Sequence, residues 1–117
     1  MIAYTVTATT DDPAQADRFV AWLLGDPQRP EAPGHARQVV QAGARRVQVV
    51  RIEPESPGGP ITVQCRYLFD SMAAYEAYDR GPAQALRAEG RRLFPPGGPI
   101  ALSRSLGTVL LEHPMVP

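Results

Sequence analysis

The sequence predicts an α+β domain of the ferredoxin-like type, a sandwich with the element order β-α-β-β-α-β. Four segments show the two-residue apolar alternation of strands, and two longer segments show the spacing of amphipathic helices. Four strands and two principal helices in this order specify a four-stranded antiparallel sheet with the helices on one face. The other face of the sheet must then meet water, a ligand or another subunit.

The first strand and helix have clear boundary signals. Residues 2–9 alternate apolar and polar side chains, which is typical of a half-buried strand. Asp12 is the expected N-cap of the helix that follows, with Pro13 at its first position and Gln15 placed to complete a capping box. Gly25 is the expected end of this helix.

The middle of the chain contains a loop, a short helix and two strands. Residues 25–34 hold three prolines and predict a loop. Residues 35–44 predict a short helix, and residues 45–54 predict the second strand. Residues 61–69, ITVQCRYLF, alternate most regularly and predict the third strand.

The second principal helix contains an interruption. Asp70 or Ser71 is the expected N-cap, and Gly81-Pro82 predicts a kink or break. Proline has no backbone donor, and it disfavours helical geometry at the residue before it. A last strand is expected from about residue 100 to residue 111.

Composition limits the classes of function. Twelve basic and twelve acidic residues give a formal charge of zero, which argues against a nucleic-acid binder with a broad basic surface. All twelve basic residues are arginine, so lysine chemistry is excluded. No secretory signal or membrane span is apparent, and we expect a cytoplasmic protein. We expect one domain over residues 1–112 and a frayed tail at 113–117.

Five motifs lie along the second half of the chain: Tyr67-x-Phe69, a helix with Tyr75 and Tyr78, Leu86 through Gly90, Phe94-Pro95 and Arg104 through Gly107. Together these motifs resemble those of a small bacterial family of unknown function. The resemblance implies a ferredoxin-like subunit that dimerises through its sheet, as in the dimeric α/β-barrel superfamily. That superfamily includes cofactor-free monooxygenases, haem-processing enzymes and ligand-sensing domains, and fold alone does not choose among them. The resemblance transfers no catalytic residue to this chain.

The cysteine and the two histidines do not form a recognisable reactive site in the sequence. Cys65 is the single cysteine, and its place on the apolar face of a strand predicts an inert, buried thiol. His35 and His113 have no second ligand at metal-binding spacing, and we interpret both as solvated loop residues. We therefore expect no metal and no cofactor, and we assign no catalytic residue.

The candidate ligand-binding residues are polar side chains expected on the sheet face that the helices leave open. Thr5, Thr7, Gln64 and Arg66 share this face if the apolar residues of both strands face the helices. An arginine fork on such a face suits a polar or anionic small molecule. Gln48 or Arg46 of the second strand is expected to add a further polar group to the same face.

Arg104 is a further candidate, but its place is harder to predict. Strict alternation puts it with the apolar residues of the last strand, and a bulge at residues 103–105 would be needed to turn it outward. Structural pairing of Arg66 and Arg104 with acids such as Glu53 or Glu89, within or across subunits, is the favoured alternative to ligand binding.

Two functions are therefore predicted. The first is a non-enzymatic homodimer whose polar sheet face binds a small polar or anionic ligand or only the partner subunit. The alternative is a cofactor-independent monooxygenase or isomerase, in which an enclosed pocket and one or two donors suffice. Tyr67, Arg66 and His35 are the first residues to test for that chemistry.

Overall fold

The computed structural model describes residues 1–113, which form one sheet and four helices. The helices and strands in chain order are β1 (Ile2–Thr10), α1 (Pro13–Leu24), α2 (His35–Gln41), β2 (Arg46–Ile52), β3 (Ile61–Phe69), α3 (Met72–Arg80), α4 (Ala83–Leu93) and β4 (Ala101–Thr108). Most of the predicted tail, residues 114–117, lies outside the described part of the chain.

The sheet has the strand order β2-β3-β1-β4, and all three pairings are antiparallel. This order and the placement of the helices confirm the predicted ferredoxin-like α+β fold. Within one chain the sheet stays open, with β2 and β4 as its two edges.

The core lies between the helices and the two central strands. In β3, the residues that face the helices are almost fully buried, from Val63 at 2% exposure to Phe69 at 0%. Cys65 is among them at 1%, which confirms its predicted burial. The residues between them in β3 face the other side of the sheet, because successive side chains of a strand alternate.

The first helix begins as predicted, except for its capping box. The Asp12 carboxylate accepts a hydrogen bond from the backbone N–H of Ala14, so Asp12 is the N-cap. The Asp12 N–H donates to Thr10 Oγ1 at 3.2 Å, and the Gln15 side chain accepts from Arg18 instead. The predicted capping box is therefore wrong, because a threonine two residues upstream takes the position that Gln15 was expected to fill.

The second principal helix is broken into α3 and α4. Ser71 rather than Asp70 is its N-cap, since Ser71 Oγ accepts from the backbone N–H of Ala74 at 3.1 Å. Asp70 forms an ion pair with Arg45 at 2.9 Å. The break predicted at Gly81-Pro82 is confirmed, and it separates the two helices by two residues.

The helices do not cover β4. All eight residues of this edge strand are exposed, including the helix-side residues Leu102 and Leu106. The space between the helices and the sheet is therefore bordered on one side by an uncovered strand.

Candidate functional site

Two separate sites contain the residues that the sequence singled out, one on each face of the sheet. The first is the open-face cleft, a hollow of about 550 Å³ whose main polar walls are Thr5, Arg46, Gln48, Arg66 and Glu112. No helix of the described chain covers it, because the helices pack against the other face.

The predicted grouping on the open face is confirmed. Thr5 lies opposite Arg66, and Thr7 lies opposite Gln64, in the register of β1 with β3. Cross-strand partners project from the same face of a sheet, so these four side chains share one surface. Gln48 of β2 lies opposite Arg66 of β3 and extends this surface to the next strand. Their role in ligand binding stays a prediction.

Arg66 is held in place by its neighbour on the same strand. Its Nε and Nη2 atoms donate to Gln64 Oε1 at 3.2 and 2.7 Å. No carboxylate pairs with Arg66 within residues 1–113, and Glu53 is paired with Arg51 instead. The favoured ion pair of Arg66 with Glu53 or Glu89 therefore does not form inside the subunit.

The charge balance of the open-face cleft is positive. Arg46 forms an ion pair with Glu112, which neutralises both of those walls. The described walls of the cleft contain two arginines, and of these Arg66 lacks a carboxylate partner. An exposed guanidinium without a counter-charge favours an anion or a strong hydrogen-bond acceptor.

Arg104 does not belong to this surface. The pairing of β4 with β1 runs without interruption from Ala101 to Thr108 and places Arg104 opposite Val6, on the helix side. The bulge considered at residues 103–105 is absent. Arg104 is nevertheless exposed rather than buried, because the helices leave β4 uncovered. Arg66 and Arg104 therefore lie on opposite faces and do not share a site.

The second site is the interlayer pocket, a cavity of about 60 Å³ between the sheet and the helices. Its polar lining consists mainly of Tyr4, Tyr67, Tyr78, His35, Arg87 and Arg104. The three tyrosines are at most 4% exposed, and Tyr4 stacks on Tyr67 with ring centroids 5.9 Å apart. They are core residues whose positions also make them walls of a pocket.

His35 contributes to the interlayer pocket, so its interpretation as a solvated loop residue is wrong. Its ring stacks on Trp22, with centroids 4.1 Å apart and planes at 18°. Its Nδ1 atom is buried and has no hydrogen-bond partner among the described residues. Burial lowers the pKa of His35 to about 4, although the nearby charge of Glu89 acts in the opposite direction. The imidazole is therefore neutral near pH 7.

Arg87 is a partly buried cation that sequence reasoning missed. Its Nη1 donates to Asp79, and its Nη2 lies 3.4 Å from the hydroxyl oxygens of both Tyr4 and Tyr75. Its Nε is buried and has no partner in the described part of the chain. A helical arginine looks like a surface residue in the sequence, and only the packing of α4 against Tyr4 reveals otherwise.

Tyr67 and Tyr78 are neutral hydrogen-bonding groups of the pocket. Burial raises the pKa of Tyr78 to about 12, and burial with the neighbouring Cys65 also raises the pKa of Tyr67. The interlayer pocket thus combines neutral phenols, a neutral imidazole and a guanidinium. Such a set can bind and orient a polar group.

Residues 1–113 contain no group of three or more His, Cys, Asp or Glu side chains placed to hold a metal ion. None of the helices described is long and apolar enough to cross a membrane.

Comparison with known proteins identifies the fold. The structure is similar to the crystal structure of a dimeric ferredoxin-like protein from an uncultured marine organism, with a TM-score of 0.64 and 11% identity over 96% of this chain and 97% of that chain. It is also similar to the de novo designed protein Foldit4, with a TM-score of 0.56 and 12% identity over 92% and 97%. No family model and no curated protein sequence matches the chain. At these identities the likeness shows the fold alone.

Proposed function

We propose that the protein is a non-enzymatic homodimer whose subunits meet at the open sheet face, and that the open-face cleft binds a small polar or anionic ligand. The observation that carries this proposal is Arg66, an exposed guanidinium without a carboxylate partner within residues 1–113, on a face that no described helix covers. The similar marine protein, described as dimeric, supports the homodimer.

The positions of the donors support an anionic ligand. Gln64 accepts hydrogen bonds from Nε and Nη2 of Arg66 and so restrains the guanidinium, which leaves Nη1 for another acceptor. Thr5 and Gln48 add neutral donors on the same face. A guanidinium that is already oriented loses less conformational freedom when it binds a carboxylate or phosphate group.

Substitution of Arg66 tests the proposal. We expect Arg66→Gln to weaken the binding of inorganic phosphate or citrate at least about tenfold, because a charged hydrogen bond is lost. Isothermal titration calorimetry measures the affinity, and light scattering measures the mass of the complex. Arg80→Gln is the matched control, since Arg80 is an exposed arginine at the end of α3.

Three results would contradict this proposal. Absence of saturable binding of both anions to the wild-type protein overturns the ligand site. An Arg66→Gln variant that binds them as tightly as Arg80→Gln overturns the role of Arg66. A wild-type protein that is monomeric at micromolar concentration overturns the homodimer.

A cofactor-independent monooxygenase or isomerase is the second candidate, and the interlayer pocket favours it. Tyr67 and His35, two of the residues predicted for that chemistry, both line this pocket of about 60 Å³, which fits dioxygen and the hydroxyl end of a substrate whose ring stays at the mouth of the pocket. Arg66 lies on the other face and takes no part. Oxygen uptake with a soluble hydroquinone should exceed the protein-free rate and fall in His35→Gln; uptake equal to the protein-free rate contradicts the monooxygenase.

A further inference from the structure

We propose that the interlayer pocket and the groove beside it together bind a monocarboxylate with an apolar body. This corner groove is a hollow of about 580 Å³ where the chain turns from α4 into β4, with Phe94, Pro95, Pro96 and Ile100 among its walls. The site lies on the helix side of the sheet, and it is independent of the ligand proposed for the open-face cleft.

The two cavities share part of their walls. Arg91, Leu102 and Arg104 line both the interlayer pocket and the corner groove. Leu102 and Arg104 belong to β4, which the helices leave uncovered, so the boundary between the cavities lies at an accessible edge of the sheet. A ligand in the groove therefore contacts the residues that border the inner pocket.

The shared boundary carries unpaired positive charge. Neither Arg91 nor Arg104 forms an ion pair with a carboxylate among residues 1–113. The charge of Arg104 also acts on the inner pocket. Burial raises the pKa of Tyr78, and the positive charges of Arg87 and Arg104 both act to lower it. Two guanidinium groups at this boundary provide donors and charge for one carboxylate.

The inner pocket offers hydrogen-bonding groups but little room. Tyr78, Arg87 and His35 are among the polar residues that line it. The Arg87 Nε and His35 Nδ1 atoms themselves are closed off from water and have no partner among the described residues, although buried polar atoms are normally hydrogen-bonded. A cavity of about 60 Å³ is smaller than the roughly 150 Å³ that accommodates benzene. The inner pocket thus fits a carboxylate group or a few water molecules, and it is too small for the body of an organic ligand.

The corner groove has the size and the walls for that body. Its volume is within the range of small-molecule sites, roughly 300–1,000 Å³. The side chains of Phe94 and Ile100 form its floor and are at most 5% exposed, and Leu102 is 41% exposed at its margin. An apolar chain placed there covers Leu102 and removes apolar surface from water. The two arginines at the boundary and the apolar walls of the corner groove together favour a ligand with one negative charge at the end of an apolar chain.

Titration with decanoate below its critical micelle concentration tests the proposal. The sequence contains a single tryptophan, and this Trp22 lines the interlayer pocket, so its fluorescence reports occupancy. We expect saturable binding of decanoate. Decan-1-ol, which lacks the charge, and butyrate, which lacks the long apolar chain, should each bind at least about tenfold more weakly.

Substitutions identify the groups that recognise the charge. We expect Arg104→Gln to weaken decanoate binding about tenfold or more and Arg91→Gln to weaken it as well, whereas Arg80→Gln leaves it unchanged. Position 104 is exposed on an edge strand, so the Arg104 variant should fold. Absence of saturable decanoate binding, equal affinity for decanoate and decan-1-ol, or unchanged affinity in both the Arg104 and Arg91 variants would overturn the proposal.

Discussion

Replacement of Gly25 by alanine tests how the loop between α1 and α2 is closed. Gly25 (φ +66°, ψ −163°) lies against Gly34 (φ +84°), and the two glycines form the neck of this loop. A Cβ atom on Gly25 would lie 2.4 Å from the backbone nitrogen of Gly34 and 2.5 Å from the carbonyl oxygen of Ala32. Because these atoms belong to the backbone, they cannot rotate away from the added Cβ, and the neck must open. His35 follows Gly34 directly in the chain, so its position must change as well.

The destabilisation combines two effects. At φ +66° and ψ −163° an alanine enters a backbone region that is essentially restricted to glycine, which costs about 1–3 kcal/mol. Overpacking costs typically 1–3 kcal/mol, while the lower entropy of the unfolded alanine chain offsets about 0.5–1 kcal/mol. We therefore expect Gly25→Ala to lower the free energy of unfolding by about 3 kcal/mol. With an unfolding entropy of about 2.1 cal/mol/K per residue, a chain of 117 residues loses about 4 °C in Tm per kcal/mol. The expected decrease in Tm is about 12 °C.

Thermal unfolding followed by far-UV circular dichroism measures this decrease. Gly58→Ala is the matched control, because Gly58 has a φ of +80° but no atom within 4 Å of the added Cβ. Strain alone should lower the Tm of this control by about 4 °C. If Gly25→Ala melts within about 4 °C of Gly58→Ala, the close contact at the neck of the loop is not as described.

Two further predictions concern buried groups on the helix side of the sheet. Relative to His35→Gln, the wild-type free energy of unfolding should fall as the pH is lowered from about 6.5 to about 4, because His35 has the ordinary pKa of 6.5 in the unfolded chain and a pKa of about 4 in the folded protein. Urea unfolding measures the difference in stability between the two proteins, and a difference that is independent of pH would refute the burial of the imidazole. In the native protein, the Cys65 thiol should react with Ellman's reagent at least about 100-fold more slowly than in the unfolded chain, because burial blocks access of the reagent and raises the pKa of the thiol. A native rate within about tenfold of the unfolded rate would show that the core is open.

Features with local causes could be predicted from the sequence. The alternation of residues 2–9 and 61–69 was sufficient to place Thr5 and Arg66 on one face, since strand geometry alone determines which side chains share a face. The break between α3 and α4 was also predictable, because Pro82 has no backbone N–H to donate and is tolerated at the start of a helix but not in its interior.

Features that depend on distant packing could not be predicted in the same way. The sequence predicted that Arg104 would be buried unless a bulge turned it outward. It is exposed without a bulge, because the helices leave the edge strand β4 uncovered and a helix-side residue of that strand therefore still meets solvent. The environment of His35 depends on the neck formed by two glycines and on Trp22, which lies 13 residues earlier. Arg87 meets Tyr4 across 83 residues of sequence, and no local pattern indicates this contact.

Native mass spectrometry of the protein purified without added ligand tests the central claim most directly, because it reports the oligomeric state and any retained small molecule together. The account predicts a complex of twice the 12.7 kDa chain mass, with any additional mass matching a small polar or anionic molecule. The same complex should lose that mass, or dissociate more readily, in Arg66→Gln than in Arg80→Gln. A wild-type protein that remains at 12.7 kDa would contradict the pairing of subunits through the open sheet face.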